Sequence, residues 1–316
     1  MTLAALLLVA TGCGDATADV GASSRDVVLV LEGSVDGVEA GEGPLELWLP
    51  LPATGPHQEV VSLEVTASIP GGRVVDPVYG NVVWRGRVDQ APAEPVTFRV
   101  SAEVRRHEVT GPSGALAAGE KERFLVANAR VPVDGPLVDA VRADLPSDDG
   151  TPLARARTLF DFVLSHMEYK KVGSGWGTGS TAWACSARYG NCTDFHALFT
   201  SLARAEGLPT RFHIGYPLGP DAAAEVGGYH CWADVWIEGE GWLAIDASEA
   251  WKHPESRERW FGALPADRVE VSIGRDLELG QGGGPLNYFV APYAEVGGRV
   301  VEGVSTTVRY GGASGR

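Results

Sequence analysis

Three residues in the second half of the chain have side chains that could together act on an acyl group: Cys192, His230 and Asp246. Gly190 allows a sharp backbone turn into a predicted helix that Cys192 begins. The positive end of a helix dipole favours the thiolate form of a cysteine in that place, and a thiolate can attack an acyl carbon. Cys192 is therefore the candidate nucleophile.

The other two candidates belong to two consecutive predicted strands. His230 begins the first strand, Asp246 ends the second, and the turn Glu238–Gly241 separates them. If the strands form a hairpin, the imidazole and the carboxylate lie at the same end of it and can pair. The carboxylate would fix the tautomer of the imidazole, and the imidazolium would hold Cys192 as a thiolate. Order and spacing thus predict a Cys-His-Asp triad.

A second histidine, His196, could also serve as the base, because it lies four residues after Cys192 on the same helix face. We prefer His230, since His196 has no evident carboxylate to orient it. We expect His196 and Asp194 instead to contact the triad residues and hold them in position.

Attack on an acyl carbon creates an oxyanion that requires hydrogen-bond donors. The backbone N–H of Cys192 is well placed for this at the start of a helix. The second donor could come from Trp176, Trp183 or Tyr189, and the alternative for these aromatic residues is that they line a cleft or pack. The sequence does not choose among them.

Two further cysteines, Cys185 and Cys231, lie close in sequence to the nucleophile and the base. A disulfide between them could brace the site in an oxidising compartment, and the alternative is a pair of buried thiols. Together with Cys192 and His230 they also offer zinc-ligand types, but the Cys-x-x-Cys knuckle is absent. We therefore expect no metal and no cofactor.

Four short motifs occur in order over residues 153–248. They are Gly190-Asn191-Cys192, Gly207-Leu208-Pro209-Thr210-Arg211, His230-Cys231-Trp232, and Gly241-Trp242 followed by Asp246. In this order they resemble the transglutaminase-like superfamily, a papain-like group. The resemblance implies that Cys192 is the nucleophile, His230 the general base and acid, and Asp246 the group that orients it. It also implies acyl transfer or hydrolysis at amide bonds without a metal, although some members have lost activity.

The first half of the chain must form a different kind of structure. From Asp26 to about Thr110, short β-rich runs alternate with Gly, Pro and Asp clusters, which predicts an antiparallel sandwich. We find no catalytic constellation there and expect a structural or substrate-positioning domain. Leu47–Pro52 and Gly80-Asn81 also resemble the β domain found ahead of this core in bacterial members. The predicted strands include 27–31, 45–49, 60–65, 82–84 and 96–100.

Helical periodicity begins near Gly135 and resumes with Pro152 at the first turn of a second helix. After the helix begun by Cys192, strands are predicted at 210–215, 229–237, 242–245, 269–273, 286–290 and 300–310. The predicted fold class is α+β, with an N-terminal antiparallel β-sandwich followed by a papain-like transglutaminase core and C-terminal strands. The predicted segments are 1–13 (lipoprotein-type signal), 14–25 (tether), 26–125 (β-sandwich domain), 126–275 (catalytic domain) and 276–316 (C-terminal β extension and tail).

The amino terminus predicts export. Leu3–Ala10 is an unbroken apolar run that is too short to span a bilayer and ends in small residues. With Cys13 after it, the run resembles a bacterial lipoprotein signal, in which the cysteine is lipidated. The alternative is a plain cleaved signal peptide. We expect the chain to lie in the cell envelope, anchored to the membrane through Cys13 and facing the periplasm or the exterior.

Composition narrows the range of partners. The chain has 316 residues, of which 44% are hydrophobic, enough for packed cores in about two domains. A net charge of −15 and the lack of a dense Lys/Arg block argue against nucleic acid. We therefore expect a peptide or protein substrate, with the membrane as the other partner.

The reaction expected is thiol-dependent acyl transfer at amide bonds. Hydrolysis by a protease or amidase is preferred over transglutaminase crosslinking, because water is always present outside the cytoplasm and nothing in the sequence indicates a site that excludes it. The alternative is a catalytically inactive envelope module that only binds a peptide or partner.

Overall fold

The computed structural model describes residues 23–280 and 282–312. The predicted lipoprotein signal, its Cys13 and most of the predicted tether lie outside the described residues.

The described chain alternates between strand-rich and helix-rich parts. The strands are β1 (Ser24–Val35), β2 (Leu45–Pro50), β3 (Gln58–Ala67), β4 (Gly71–Val75), β5 (Val82–Val88), β6 (Val96–His107), β7 (Val109–Thr110), β8 (Glu168–Tyr169), β9 (Tyr189–Gly190), β10 (Thr210–Pro217), β11 (Ala224–Glu225), β12 (His230–Ile237), β13 (Gly241–Ile245), β14 (Ala263–Leu264), β15 (Arg268–Ile273), β16 (Tyr293–Val296), β17 (Arg299–Val300) and β18 (Val304–Gly312). The helices are α1 (Glu120–Arg123), α2 (Pro136–Ala143), α3 (Pro152–His166), α4 (Thr181–Ala187), α5 (Cys192–Ala205) and α6 (Ala247–Lys252), followed by a 3₁₀ segment (Pro254–Trp260).

Two five-stranded antiparallel sheets form the predicted sandwich. Their strand orders are β11-β18-β1-β6-β3 and β17-β16-β2-β5-β4. Alternate residues of β6 point into a shared apolar core, and β2 is buried along its whole length. This is the alternation that a sheet with one face on a core requires. The predicted α+β class is confirmed, and the strands predicted at 27–31, 45–49, 60–65, 82–84 and 96–100 are present.

The last strands return to the sandwich. β18 pairs with β1 over a long antiparallel register from Val27↔Gly312 to Val35↔Val304. β16 pairs with β2 in the other sheet. The helices and the four-stranded sheet therefore lie, along the chain, between strands of one sandwich.

The strand predicted at 286–290 is wrong. Only Leu286 forms a bridge there, to Leu277. The apolar side chains of Phe289 and Val290 are buried, but their carbonyl oxygens accept hydrogen bonds from the hydroxyl groups of Ser272 and Tyr216. The run is apolar because it fills the core, and side chains rather than a neighbouring strand satisfy its backbone.

Helix α5 is the centre of the second part of the molecule. It packs against β10 and β12 on one side and against α3 and α4 on another, which buries almost all of its side chains. The buried side chains of α5 include polar and charged ones, among them Asp194, His196 and Arg204, which require hydrogen-bond partners inside the molecule. The four-stranded sheet beside it has the order β13-β12-β10-β15. Within the described residues, no helix is long and apolar enough to cross a membrane.

Candidate active site

Cys192 is the first residue of α5, as predicted. The residue before it, Asn191, caps the helix: its Oδ1 accepts a hydrogen bond from the backbone N–H of Thr193 at 3.0 Å. Asp194 completes the cap by accepting from the N–H of Asn191 at 3.1 Å. The backbone N–H of Cys192 belongs to the first turn, whose N–H groups lack partners inside the helix. It is thus available to an oxyanion.

Asp194 also holds the glycine-rich loop 173–179 beside the site. Its carboxylate accepts hydrogen bonds from the N–H groups of Gly177 at 2.6 Å and Gly179 at 2.9 Å. Gly190 is explained by the same carboxylate, because a Cβ there would lie 2.3 Å from Oδ2 of Asp194. The glycine of the Gly-x-Cys motif is therefore required for close approach of Asp194.

The predicted hairpin is present and brings His230 and Asp246 together. β12 and β13 pair antiparallel from Ile237↔Gly241 to Ala233↔Ile245. Nε2 of His230 lies 2.6 Å from Oδ2 of Asp246. The other ring nitrogen, Nδ1, is therefore the one free to exchange a proton with Cys192.

Asp246 is fully buried and has every oxygen engaged. Oδ2 also accepts a hydrogen bond from Nη1 of Arg268 at 2.9 Å, and Oδ1 accepts from Ser248 and from the N–H of Glu249, each at 3.0 Å. Burial alone would raise the pKa of Asp246, but attraction and hydrogen bonding to His230, together with the charge of Arg268, hold it well below its usual range. The carboxylate stays ionised beside the imidazole.

The electrostatics favour a thiolate–imidazolium pair. Burial opposes the charged form of His230, yet Asp246 and a hydrogen bond with Cys192 raise its pKa to about 10. The pKa of Cys192 is held well below its usual range, first by a hydrogen bond from Cys231 and then, against the effect of burial, by His230. An ion pair of this kind is the reactive form of a catalytic cysteine.

His196 is placed behind the triad and ties two elements together. Its Nε2 accepts a hydrogen bond from the N–H of Ala247 at 3.2 Å, so Nδ1 carries the proton and donates it to the carbonyl of Cys192 at 2.8 Å. Burial is the main cause that lowers the pKa of His196. Both ring nitrogens are occupied by backbone groups, so His196 is not positioned as the base.

Of the two alternatives for Cys185 and Cys231, a disulfide or two thiols, the structure has the two thiols free. Cys231 faces the start of α5, where it contacts Cys192 and lies 3.5 Å from Nδ1 of His196. Cys185 lies on α4 and packs against the separate apolar cluster around α3 and α5. The strand and the helix direct the two thiols into different cores.

The three aromatic residues considered as oxyanion donors have other partners. The indole N–H of Trp176 donates to the carbonyl of Gly173 at 3.1 Å, and that of Trp183 to the carbonyl of Tyr189 at 2.9 Å. The hydroxyl of Tyr189 donates to the carbonyl of Val172 at 3.3 Å. These contacts occupy the donor groups of all three side chains. Trp176 and Tyr189 thereby bond to the backbone at 172–173, and Trp183 bonds to the backbone of β9 just before Cys192.

Sequence reasoning missed several residues at the site. Arg268 gave no signal, because it follows Asp246 by 22 residues on another strand and only the fold joins them. Tyr229 adjoins His230 in the sequence, and its hydroxyl accepts a hydrogen bond from Nδ2 of Asn191 at 3.1 Å. Its position before the His-x-Trp motif was the available signal.

A cleft of about 370 Å³ opens beside His230. Its walls include Tyr229, Lys171, Glu249, Lys252 and Arg268, so the approach to the base is polar and charged.

Oxygen and nitrogen atoms of His230, Asp246 and Glu249 lie within 4.8 Å of one another, which is a geometry that a cation could use. The guanidinium of Arg268 already occupies the side of Asp246 on which a cation would sit. The arrangement fits a hydrogen-bonded His–Asp pair better than a metal centre.

A cysteine at a helix start, facing a His–Asp pair at the end of an antiparallel hairpin, defines a thiol-dependent enzyme of the papain-like class. Residues 139–247 match the family model of the transglutaminase-like superfamily. This match confirms the resemblance read from the motifs of the chain.

Three comparisons place the chain among known proteins. An uncharacterised protein of Haemophilus influenzae is 25% identical over 307 residues, covering 82% of this chain and 83% of that protein. A structure described as a candidate cysteine protease from Cytophaga hutchinsonii has a TM-score of 0.63 at 15% identity, covering 93% of this chain and 92% of that one. At that identity the likeness concerns the fold. The periplasmic domain of TgpA from Pseudomonas aeruginosa is also similar, with a TM-score of 0.33, 18% identity, and coverage of 76% and 92%.

Proposed function

We propose that this protein hydrolyses amide bonds in peptides or proteins, with Cys192 as nucleophile, His230 as general acid and base, and Asp246 as its orienting group. The observation that carries the proposal is the contact of Nε2 of His230 with Asp246 at 2.6 Å, which leaves Nδ1 for the thiol at the start of α5.

The reaction starts from the thiolate–imidazolium pair. The sulfur of Cys192 forms a bond to the amide carbon, and the resulting oxyanion is stabilised by the backbone N–H of Cys192. When this intermediate collapses, the C–N bond breaks and His230 gives its proton to the leaving amine. Water then attacks the thioester while His230 takes up its proton. Release of the acid breaks the C–S bond and restores the ion pair.

The character of the cleft supports hydrolysis over transfer to an amine. Its walls are charged, and efficient transfer requires a site from which water is excluded. Charged walls attract water to His230, which favours water over an amine as the acceptor of the acyl group.

The test uses the full chain with a mixture of synthetic peptides, and mass spectrometry of the products with and without an added primary amine. We expect cleaved peptides that carry free carboxylates in both cases. Cys192→Ala should abolish cleavage, and Cys185→Ala is the matched control because it removes a thiol remote from the site. Full cleavage by Cys192→Ala would refute the mechanism, and amine adducts as the main products would assign a transferase instead.

One observation supports a second candidate, a module that binds peptides without cleaving them. Cys192 is only 2% exposed and His230 only 7%, so a substrate carbonyl reaches the thiol only if the 173–179 loop or the cleft wall moves. The binding module predicts that His230→Ala leaves the alkylation rate of Cys192 unchanged. The enzyme predicts a marked loss of that rate at neutral pH.

We also propose that the protein is exported and held at the membrane by lipid on Cys13, facing the periplasm or the exterior. The support is the apolar run that precedes Cys13. Mass spectrometry of the mature amino terminus tests this. A lipid-modified Cys13 that is lost in Cys13→Ala supports the anchor, and an unmodified terminus after a cleaved signal refutes it.

A further inference from the structure

A second polar centre lies between the sandwich and the catalytic sheet, away from the cleft at His230. It surrounds a cavity of about 150 Å³, which we call the interdomain cavity. Arg106 from β6 and His57 line it on the sandwich side, and Arg211, Asp234 and Glu270 line it on the side of the catalytic sheet. None of these residues takes part in the triad.

The walls of the interdomain cavity are fixed before any ligand arrives. The side chain of Gln58 on β3 donates to the carbonyl of Glu270 and accepts from its N–H, at 2.9 and 2.8 Å. This pair joins the sandwich to the edge strand of the catalytic sheet. Nε2 of His57, the residue before Gln58, lies 3.2 Å from Oγ of Ser113. A cavity with such walls is preorganised.

Both carboxylates in the cavity already have cationic partners. Asp234 lies 2.8 Å from Nη2 of Arg211 and 3.1 Å from Nε2 of His213, whose Nδ1 lies 2.8 Å from Glu270. Burial opposes a charge on His213, but Asp234 and Glu270 raise its pKa to about 9. Arg211 and His213 therefore balance the two carboxylates at neutral pH.

Arg106 is the cation that remains. It is only 3% exposed, and none of the salt bridges among the described residues includes it. Glu270 and Asp234 attract its guanidinium, but His213 and Arg211 already pair with these two carboxylates. Its Nε has no hydrogen-bond partner, and its guanidinium lies 5.8 Å from the ring centre of Trp232. An unpaired buried cation is costly, because the interior repays little of its lost hydration. Arg106 thus gives the interdomain cavity a charge of +1.

We propose that the interdomain cavity binds a small carboxylate, held by the guanidinium of Arg106 with His57 and Ser113 as further hydrogen-bonding groups. A planar guanidinium matches a carboxylate through two parallel N–H···O bonds. A cavity of about 150 Å³ holds a ligand of roughly benzene size, so formate, acetate and their close homologues fit. One negative charge neutralises the site.

Thermal unfolding of the full chain tests the proposal. Sodium acetate and sodium formate are titrated at constant ionic strength, balanced with a sulfonate buffer salt that is too bulky for the cavity. A ligand that binds only the folded state raises Tm in a saturable way. We expect saturation with acetate and formate and no such shift with chloride. A linear drift with every salt, or equal saturation by chloride, would overturn the assignment of a carboxylate site.

The Arg106→Gln variant distinguishes a ligand-binding role of Arg106 from a purely structural one. Removing the unpaired cation should abolish the acetate-dependent shift and leave Tm without acetate unchanged or higher, whereas a structural arginine would lower it. Arg105→Gln is the matched control, because Arg105 is the next residue of β6 and pairs with Asp26 on the exposed face. Retention of the acetate shift in Arg106→Gln would refute the proposal.

If Arg106→Gln fails to fold, saturation-transfer NMR on the unmodified protein gives an independent answer. Transfer to the methyl group of acetate, removed by competing formate, supports the site. An absence of transfer at millimolar acetate overturns it. Because the readout is binding, either result is independent of whether Cys192 cleaves peptides.

Discussion

Replacing Cys231 by alanine is expected to raise the pKa of the Cys192 thiol by about one unit. The hydrogen bond from Cys231 is the largest single cause that holds this pKa low. A hydrogen bond to a charged group contributes roughly 1.5–3 kcal/mol, and a thiol is a weak donor, so the lower end of that range applies. Since one pKa unit corresponds to about 1.4 kcal/mol, loss of the donor shifts the titration by about one unit.

The assay is alkylation of Cys192 with iodoacetamide from pH 4 to 9, followed by peptide mass spectrometry that reads each cysteine separately. Only the thiolate reacts, so the rate falls tenfold for each pH unit below the pKa. On that falling limb the Cys231→Ala protein should react about tenfold more slowly than the unmodified protein.

Two further variants test whether the hydrogen bond from Cys231 is the cause of the pKa shift. Cys231→Ser keeps a donor at the same place and should restore most of the profile, whereas Cys185→Ala should leave it unchanged. If the Cys231→Ala profile coincides with that of the unmodified protein, the hydrogen bond between the two thiols does not stabilise the thiolate and the reasoning is refuted.

Other predictions concern the orienting group, the buried charges and the motif glycine. Asp246→Asn should lower kcat/KM for peptide cleavage by about 10²–10⁴-fold, because a correctly held base contributes that much; an unchanged value would exclude Asp246 from catalysis. The raised pKa of His213 adds stability that is fully present below about pH 6.5 and is lost as the pH rises through about 9, so the unfolding free energy measured in urea should fall by about 3 kcal/mol over that interval. His213→Gln should reduce this slope, and equal slopes in both proteins would contradict the assignment. Gly190→Ala should lower the unfolding free energy by about 1–3 kcal/mol, since its Cβ would meet Asp194. Gly228→Ala, where a Cβ meets nothing within 4 Å, is its control, and equal losses would show that close approach is not the cause.

The candidate site could be placed from the sequence because each candidate catalytic residue lies at an element boundary with its own local signal. Cys192 follows a cap at the start of α5, His230 begins β12, and Asp246 caps α6. Neighbouring residues encode boundaries of this kind. Short motifs and the expected pairing of two consecutive strands were therefore sufficient to locate the three residues.

Long-range contacts could not be placed in the same way. Arg268 reaches Asp246 only because β15 lies in the same sheet, and no pattern near Arg268 indicates this. The sequence also did not indicate that the side chain of Cys231 faces Cys192. Neighbours on a strand face opposite sides, yet His230 and Cys231 both reach Cys192, since His230 is the terminal residue of β12. The apolar run 286–290 was wrongly predicted as a strand for another reason. Segments that fill a core and segments that pair as strands contain the same residue types.

The pairing of β1 with β18 affects how the protein folds during its synthesis. A ribosome makes β1 before the catalytic part and β18 after it, so one edge of β1 is without its partner while all intervening residues are synthesised. An open strand edge invites pairing with other chains. The sandwich is completed only after the entire catalytic part has been made, and a nascent chain interrupted before β18 would carry the triad on an unfinished, aggregation-prone scaffold.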